Sequence, residues 1–123
     1  MSGDARTYAD LATAEGLREI ARYADAVGPH KSLVIGRTLS GRLGRPTGFV
    51  RDAHAAGLAV HPWTFRAENA FLPREFRRGQ GRDARGDGQG EIVAYLRTGI
   101  DGFFTDHPDI GVSALRAAAI PPR

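Results

Sequence analysis

The sequence predicts a parallel α/β fold, and three observations carry that prediction. Helical and extended patterns alternate along the chain, and the links from helix to strand are short. Polar clusters also stand after each predicted strand: GPHK at Gly28 to Lys31, HPWTFR at His61 to Arg66 and FTDHPD at Phe104 to Asp109. The ends of strands are where α/β barrels and doubly wound sheets place their sites, and the pattern by itself does not separate those two architectures.

The elements follow in order. Thr13 is positioned to cap a helix, Glu15 falls in its first turn, and Leu17, Ile20, Ala21 and Ala24 recur on one face. Gly28 and Pro29 stop the next stretch, so Ala26 and Val27 read as a short buried strand. A second apolar run, Ser32 to Ile35, leads into GRTLSGRLGRP, which reads as a loop. Pro46 lies where helices begin, Phe49, Val50 and Ala53 form an apolar face, and Gly57 is a C-terminal stop.

In LAVHPWTF the period of two sets Leu58, Val60, Pro62 and Thr64 on one face and Ala59, His61, Trp63 and Phe65 on the other. The first set suits packing under helices, and the second suits a barrel interior or its mouth. A polar stretch from Arg66 to Gly90 follows, with apolar anchors at Phe71, Leu72 and Phe76. Loops of that length in compact domains are functional lids or disordered inserts more often than simple connections. Helix signals return at Glu91 with Ile92, Val93, Tyr95 and Leu96 and end at Gly99. A strand through Phe103 and Phe104 then precedes a last helix, capped by Asp109 and carrying Val112 and Leu115.

Composition excludes several classes. The 123 residues, 41% hydrophobic and 25% charged, are ordinary for one globular domain. The net charge of +3 comes almost wholly from arginine, since Lys31 is the sole lysine. Most arginines alternate with acids, so nucleic-acid binding is not expected. Without cysteine there is no disulfide, thiolate nucleophile or cysteine-bound zinc. The opening residues have no basic segment followed by an apolar core, and no apolar run approaches a membrane span, so a soluble chain is expected, its compartment left open.

The strand-end residues each have a plain reading and a functional one. Lys31 is either a solvated loop lysine or a point charge for a phosphate. Trp63 is either core or a flat apolar wall with one hydrogen-bond donor for a ligand. His61, with no carboxylate partner visible, reads as a satisfied histidine, and His54 as surface. Asp109 reads as a helix cap, while Asp106 is open between loop structure and ligand contact. No GxSxG, Walker or HExxH motif is present.

Taken together, YADAVGPHKSLVI, VRDAHAAGLAVHPWTFRAEN and GIDGFFTDHPDIG, in this order and spacing, resemble the last three strand-helix units of the longer type of bacterial glycerophosphodiester phosphodiesterase. The opening RTYADLATAEGLREIARYAD is similar to the family's segment just upstream. The resemblance implies a (β/α)₈ barrel, of which this chain makes the C-terminal strand-helix units, about three of eight. Residues 1–123 are then one partial domain.

The resemblance further implies hydrolysis of glycerophosphodiesters to glycerol 3-phosphate and an alcohol, with a divalent cation, calcium or magnesium, and two histidines as acid and base. The family carries those groups in an HRG strand end and a Glu-x-Asp pair. Here none of His30, His54, His61 or His107 precedes arginine, and no glutamate has an aspartate two positions on. The expectation is therefore no catalytic residue and no metal ligand in this chain, and negligible hydrolysis by the chain alone.

What carries over is substrate contact: Trp63 in HPWT, Phe104 and Asp106 in FTD, with Lys31 after GP. The expected partners are the glycerophosphodiester in the whole barrel and an N-terminal half, or a second copy. Longer relatives of this type are often exported. The alternative is a non-catalytic binding or assembly module.

Overall fold

The computed structural model describes residues 13–119. Helix α1 (Ala14–Ile20) starts as its sequence predicts, with the Thr13 hydroxyl accepting the Gly16 N–H at 3.1 Å and Leu17 turned into the core. Strand β1 (Ala26–Val27) follows, then a 3₁₀ turn (Lys31–Leu33), β2 (Ile35–Arg37), β3 (Leu43–Pro46) and α2 (Phe49–Ala55). The rest is β4 (Ala59–Val60), two 3₁₀ turns (Asn69–Phe71 and Arg74–Phe76), α3 (Gly88–Leu96) and α4 (Pro108–Ala118).

The fold class is α/β. β1 and β4 pair in parallel, Ala26 with Ala59 and Val27 with Val60, and the pairing continues through His30 and Trp63. On the other side of β4, residues 101–106 run alongside it. Asp101 N–H donates to Val60 C=O at 2.9 Å, Phe104 N–H to Pro62 C=O at 3.1 Å, and Phe65 pairs with Thr105. β4 is thus the middle of three parallel extended segments.

Leu58, Val60 and Pro62 are buried on the helix side, where Leu17, Phe49, Val50, Ala53, Ile92 and Tyr95 complete the core. The opposite face is bare among the described residues: Trp63 is 42% exposed and Phe104 56%.

Three expectations are corrected. The segment read as a loop folds into the antiparallel β2–β3 hairpin, turning at Gly41 (φ +82°). Gly44 allows its close packing, since a Cβ there would sit 2.9 Å from the Gly36 carbonyl oxygen. Glu75 from the long loop ties the hairpin down, its carboxylate accepting the Leu43 N–H at 3.0 and 3.2 Å. Pro46 accordingly ends a strand, and α2 begins at Phe49.

Second, Phe65 leaves the face it was expected to share with Trp63. The rungs Phe104 N–H to Pro62 C=O and Phe65 N–H to Phe104 C=O straddle Thr64, and this irregularity turns Phe65 onto the helix side. Its ring packs edge-on to Tyr95 at 4.9 Å and Phe103 at 5.9 Å.

Third, Asp109 does not cap α4. It lies in the first turn behind Pro108, and the Thr105 hydroxyl instead accepts the His107 N–H at 3.1 Å. The last helix carries Val112 and Leu115 as expected, both half exposed, and buries Gly111 and Ala114.

His54 is on the surface as expected, yet partnered: its Nε2 lies 2.7 Å from Asp101 Oδ2, which also accepts the Val60 N–H at 2.8 Å. Desolvation alone raises the Asp101 carboxyl, but the bonds from His54 and Val60 outweigh it and hold it below the usual aspartate range. A depressed carboxyl stabilises the fold above its unfolded value, about 3.9, and loses that contribution as pH falls through the folded value. Asp101→Ala is expected to cost about 1 kcal/mol at pH 7, discounted for exposure. The gap between variant and parent urea midpoints should close as the pH is taken below the ordinary aspartate value.

Candidate functional site

The polar clusters meet at the C-terminal ends of the three parallel segments. After β1 the chain turns at Pro29, and His30 starts the 3₁₀ turn by accepting the Ser32 N–H at Nδ1, 3.2 Å away. The His30 ring meets Trp63 edge-on at 5.0 Å. Trp63 stands on the bare face, and its Nε1–H donates to the Gly28 carbonyl at 2.8 Å. The indole therefore keeps its apolar wall, while the donor expected to serve a ligand is used within the fold.

Phe104 lies beside Trp63 on the same bare face, set there by the Phe104 N–H to Pro62 C=O rung. Asp106 follows at the rim, half exposed, with its Oδ2 3.2 Å from Arg66 Nε. Beside it, His107 Nδ1 is 2.9 Å from Arg85 Nη2 and Nε2 is 3.1 Å from Glu68 Oε1. Arginine only donates, so Nδ1 is the acceptor and Nε2 carries the hydrogen to Glu68.

Lys31 departs most from its plain reading. Its backbone N–H donates to the Trp63 carbonyl at 3.0 Å, but its side chain runs to the helix side and is buried. Nζ bonds both carboxylate oxygens of Glu91 on α3, at 2.9 and 3.1 Å, and sits 4.9 Å from the Phe65 ring centroid. Arg37 from the hairpin adds a second cation, with Nη2 3.2 Å from Glu91 Oε2 and 3.0 Å from the Phe71 carbonyl.

Burial pushes Lys31 down and Glu91 up, and their mutual attraction opposes both shifts. Tyr95, raised by burial and the Glu91 charge, closes the floor by donating to the Ile35 carbonyl at 2.9 Å. The structure thus groups Trp63, Phe104 and Asp106 along one rim and turns Lys31 away from it.

The long loop after β4 is organised by a residue the sequence reading passed over. Asn69, buried, donates to the carbonyls of Arg78 at 2.7 Å and Gly81 at 3.1 Å and accepts the Arg78 N–H at 3.0 Å. Leu72 anchors the loop in the core, whereas Phe71 is half exposed under the Arg66 guanidinium, 4.3 Å from its centroid. Helix α3 starts at Gly88, three residues before the expected Glu91, because the Asp87 carboxylate caps it by accepting the Gly90 N–H at 2.8 Å.

Among the described residues, no three His, Cys, Asp or Glu side chains come together as a metal site. The carboxylates nearest the rim face a cation or an imidazole, Glu91 with Lys31 and Arg37, Asp106 with Arg66, and Glu68 through Oε1 with His107, its buried Oε2 making no hydrogen bond among the described residues and lying 3.6 Å from Arg66 Nε. These residues by themselves do not fit a divalent cation. No helix among the described residues is long and apolar enough to cross a membrane.

A parallel α/β chain with its polar residues at the strand ends defines a class, and comparison with known proteins narrows it to a family. Residues 2–110 match the Glycerophosphoryl diester phosphodiesterase family, and the chain belongs to that family. It is similar to glycerophosphodiester phosphodiesterase GDPD6 of Arabidopsis thaliana, 36% identical over 102 residues. That alignment takes in 82% of this chain and 25% of GDPD6, so the chain spans about a quarter of the relative's length.

Proposed function

We infer that this chain forms the C-terminal strand-helix units, about three of eight, of a glycerophosphodiester phosphodiesterase (β/α)₈ barrel, and that residues 1–123 make one partial domain of it. The observation that carries this reading is the bare face of the three parallel segments, which presents Trp63 and Phe104 to water. Parallel strands are almost always covered on both faces, and closing a barrel covers the second one.

The reaction is hydrolysis of a glycerophosphodiester to glycerol 3-phosphate and an alcohol. The divalent cation on which enzymes of this family generally depend, calcium or magnesium, neutralises charge on the phosphoryl oxygens when bound. Trp63 and Phe104 serve as walls of the substrate mouth, and Asp106 with Arg66 forms its polar edge. Lys31 contributes positive charge beneath the same strand ends. The acid, the base and the metal ligands come from residues outside these 123, since neither HRG nor Glu-x-Asp occurs among them.

The test is hydrolysis of glycerophosphocholine and glycerophosphoethanolamine by the purified chain with calcium or magnesium. No turnover is expected alone, and turnover is expected when a polypeptide carrying HRG and Glu-x-Asp is supplied. Metal-dependent turnover by the chain alone would overturn this division of labour.

The same bare face favours a second reading, a module that pairs with another copy. A stable dimer that masks Trp63 from fluorescence quenchers and gains no activity from the added polypeptide would select it.

A further inference from the structure

Where the segments that follow β1 and β4 meet the β2–β3 hairpin and the long loop lies a cavity of about 290 Å³, close to the lower end, roughly 300 Å³, of small-molecule pockets. Three cationic side chains line it, Lys31, Arg37 and Arg66, with the hydroxyls of Ser32 and Thr64 and the ring of Phe71. Among the described residues, no carboxylate lines it. Glu91, behind the wall, answers Lys31 and one nitrogen of Arg37.

Hydrogen-bond donors remain to spare. Arg37 uses only Nη2, on Glu91 and the Phe71 carbonyl. Arg66 Nε lies 3.2 Å from Asp106 Oδ2 and 3.6 Å from Glu68 Oε2, and a guanidinium carries four further N–H groups on its terminal nitrogens. The Phe71 ring supports that guanidinium from below at 4.3 Å. Two planar guanidinium forks at one partly enclosed cavity, each already beside a carboxylate but with N–H groups beyond those the ion pairs use, match a tetrahedral dianion, which accepts bidentate bonds on several oxygens.

We propose that this cavity is an oxyanion site for phosphate or a phosphate monoester, held by Arg37 and Arg66; neither Trp63 nor Phe104 lines it, and it shares Arg66 with the polar edge of the mouth proposed above. The site rests on charge, shape and unspent donors, and it stands whether or not the chain is part of a barrel.

The test is calorimetric and NMR titration of the whole 123-residue chain with inorganic phosphate, methyl phosphate and dimethyl phosphate. Saturable binding of the two dianions is expected, at least about tenfold tighter than the singly charged diester, and weakening with salt. Amide shifts should concentrate at residues 30–37 and 64–71. Arg66→Gln should weaken phosphate binding by about tenfold or more, a loss of roughly 1.4 kcal/mol.

Arg66→Gln leaves the Lys31–Glu91 pair intact but gives up the ion pairs to Asp106 and Glu68 and the stack on Phe71, so it is read beside a thermal melt. Arg37→Gln removes a cation from Glu91 and is read only beside a thermal melt. Binding of dimethyl phosphate as tight as the dianions would mean a diester headgroup site and overturn the assignment. So would affinity unchanged by Arg66→Gln, shifts centred on residues 61–63 and 102–104 or on the arginine loop at 77–82, or no saturable binding.

Discussion

Glu91→Ala is expected to cost about 3–5 kcal/mol, a large share of the roughly 5–15 kcal/mol that holds a domain together, because it strands a buried ammonium. Glu91 is fully buried on α3, and its carboxylate is the counter-charge to Lys31 and shares Arg37. Removing it leaves Lys31 Nζ in a pocket walled by Phe65 and Tyr95, where desolvation already pulls the lysine down. Arg37 is a third exposed along its side chain and turns readily to water, whereas the Lys31 side chain is only 10% exposed.

The double replacement Lys31→Met with Glu91→Leu is expected to lie far closer to the parent. Well-packed apolar pairs often equal or exceed the buried ion pairs they replace. Urea titration of the parent, both single variants and the double variant closes the cycle. A single-variant cost near zero would show that the pair is solvated and that Lys31 is the loop lysine its neighbourhood in sequence describes.

That contrast marks where sequence reasoning reached and where it stopped. The helices were legible because burial repeats at helical spacing: Leu17, then Phe49, Val50 and Ala53, then Ile92 and Tyr95 all face the core. Thr13 capped as written because a cap is a contact three residues long. The Lys31–Glu91 bond joins residues 60 apart, and no local spacing encodes it. The β2–β3 hairpin was hidden for a related reason. Its strands are short, Gly- and Arg-rich, and apolar only at Ile35 and Leu43, so no period of two is visible in GRTLSGRLGRP.

Of the three rim residues, Trp63 was legible as an indole at a strand end and Asp106 as an open choice between loop and ligand, while Phe104 came only from the resemblance in whole strings. Arg37 and Arg66, the cations of the cavity, had no signal beyond being arginines among many. Asn69 looked like an ordinary polar loop residue, since its partners at Arg78 and Gly81 are themselves loop backbone.

The sharpest test of the sheet is a pair of alanine variants two residues apart. A strict period of two would give Trp63 and Phe65 the same surroundings, but the irregularity at Thr64 sends them to opposite faces. Phe65 is 1% exposed, edge-on to Tyr95 and Phe103, and beneath the Lys31 ammonium at 4.9 Å. Phe65→Ala is therefore expected to cost about 3–5 kcal/mol, from lost burial plus the cavity left behind.

Trp63 is 42% exposed and gives up one hydrogen bond to Gly28 and an edge contact with His30. Trp63→Ala should cost about 2 kcal/mol in stability, clearly less than Phe65→Ala, since the indole is only partly buried and the groups it leaves behind are open to water. Urea midpoints of the two variants, each compared with the parent, measure the difference directly. Equal costs would mean that both rings lie on one face and that the strand is regular through Thr64. A cost clearly larger at Phe65 than at Trp63 leaves the Trp63→Ala chain folded, so that any loss of substrate hydrolysis in a reconstituted enzyme bearing Trp63→Ala reports on the mouth itself.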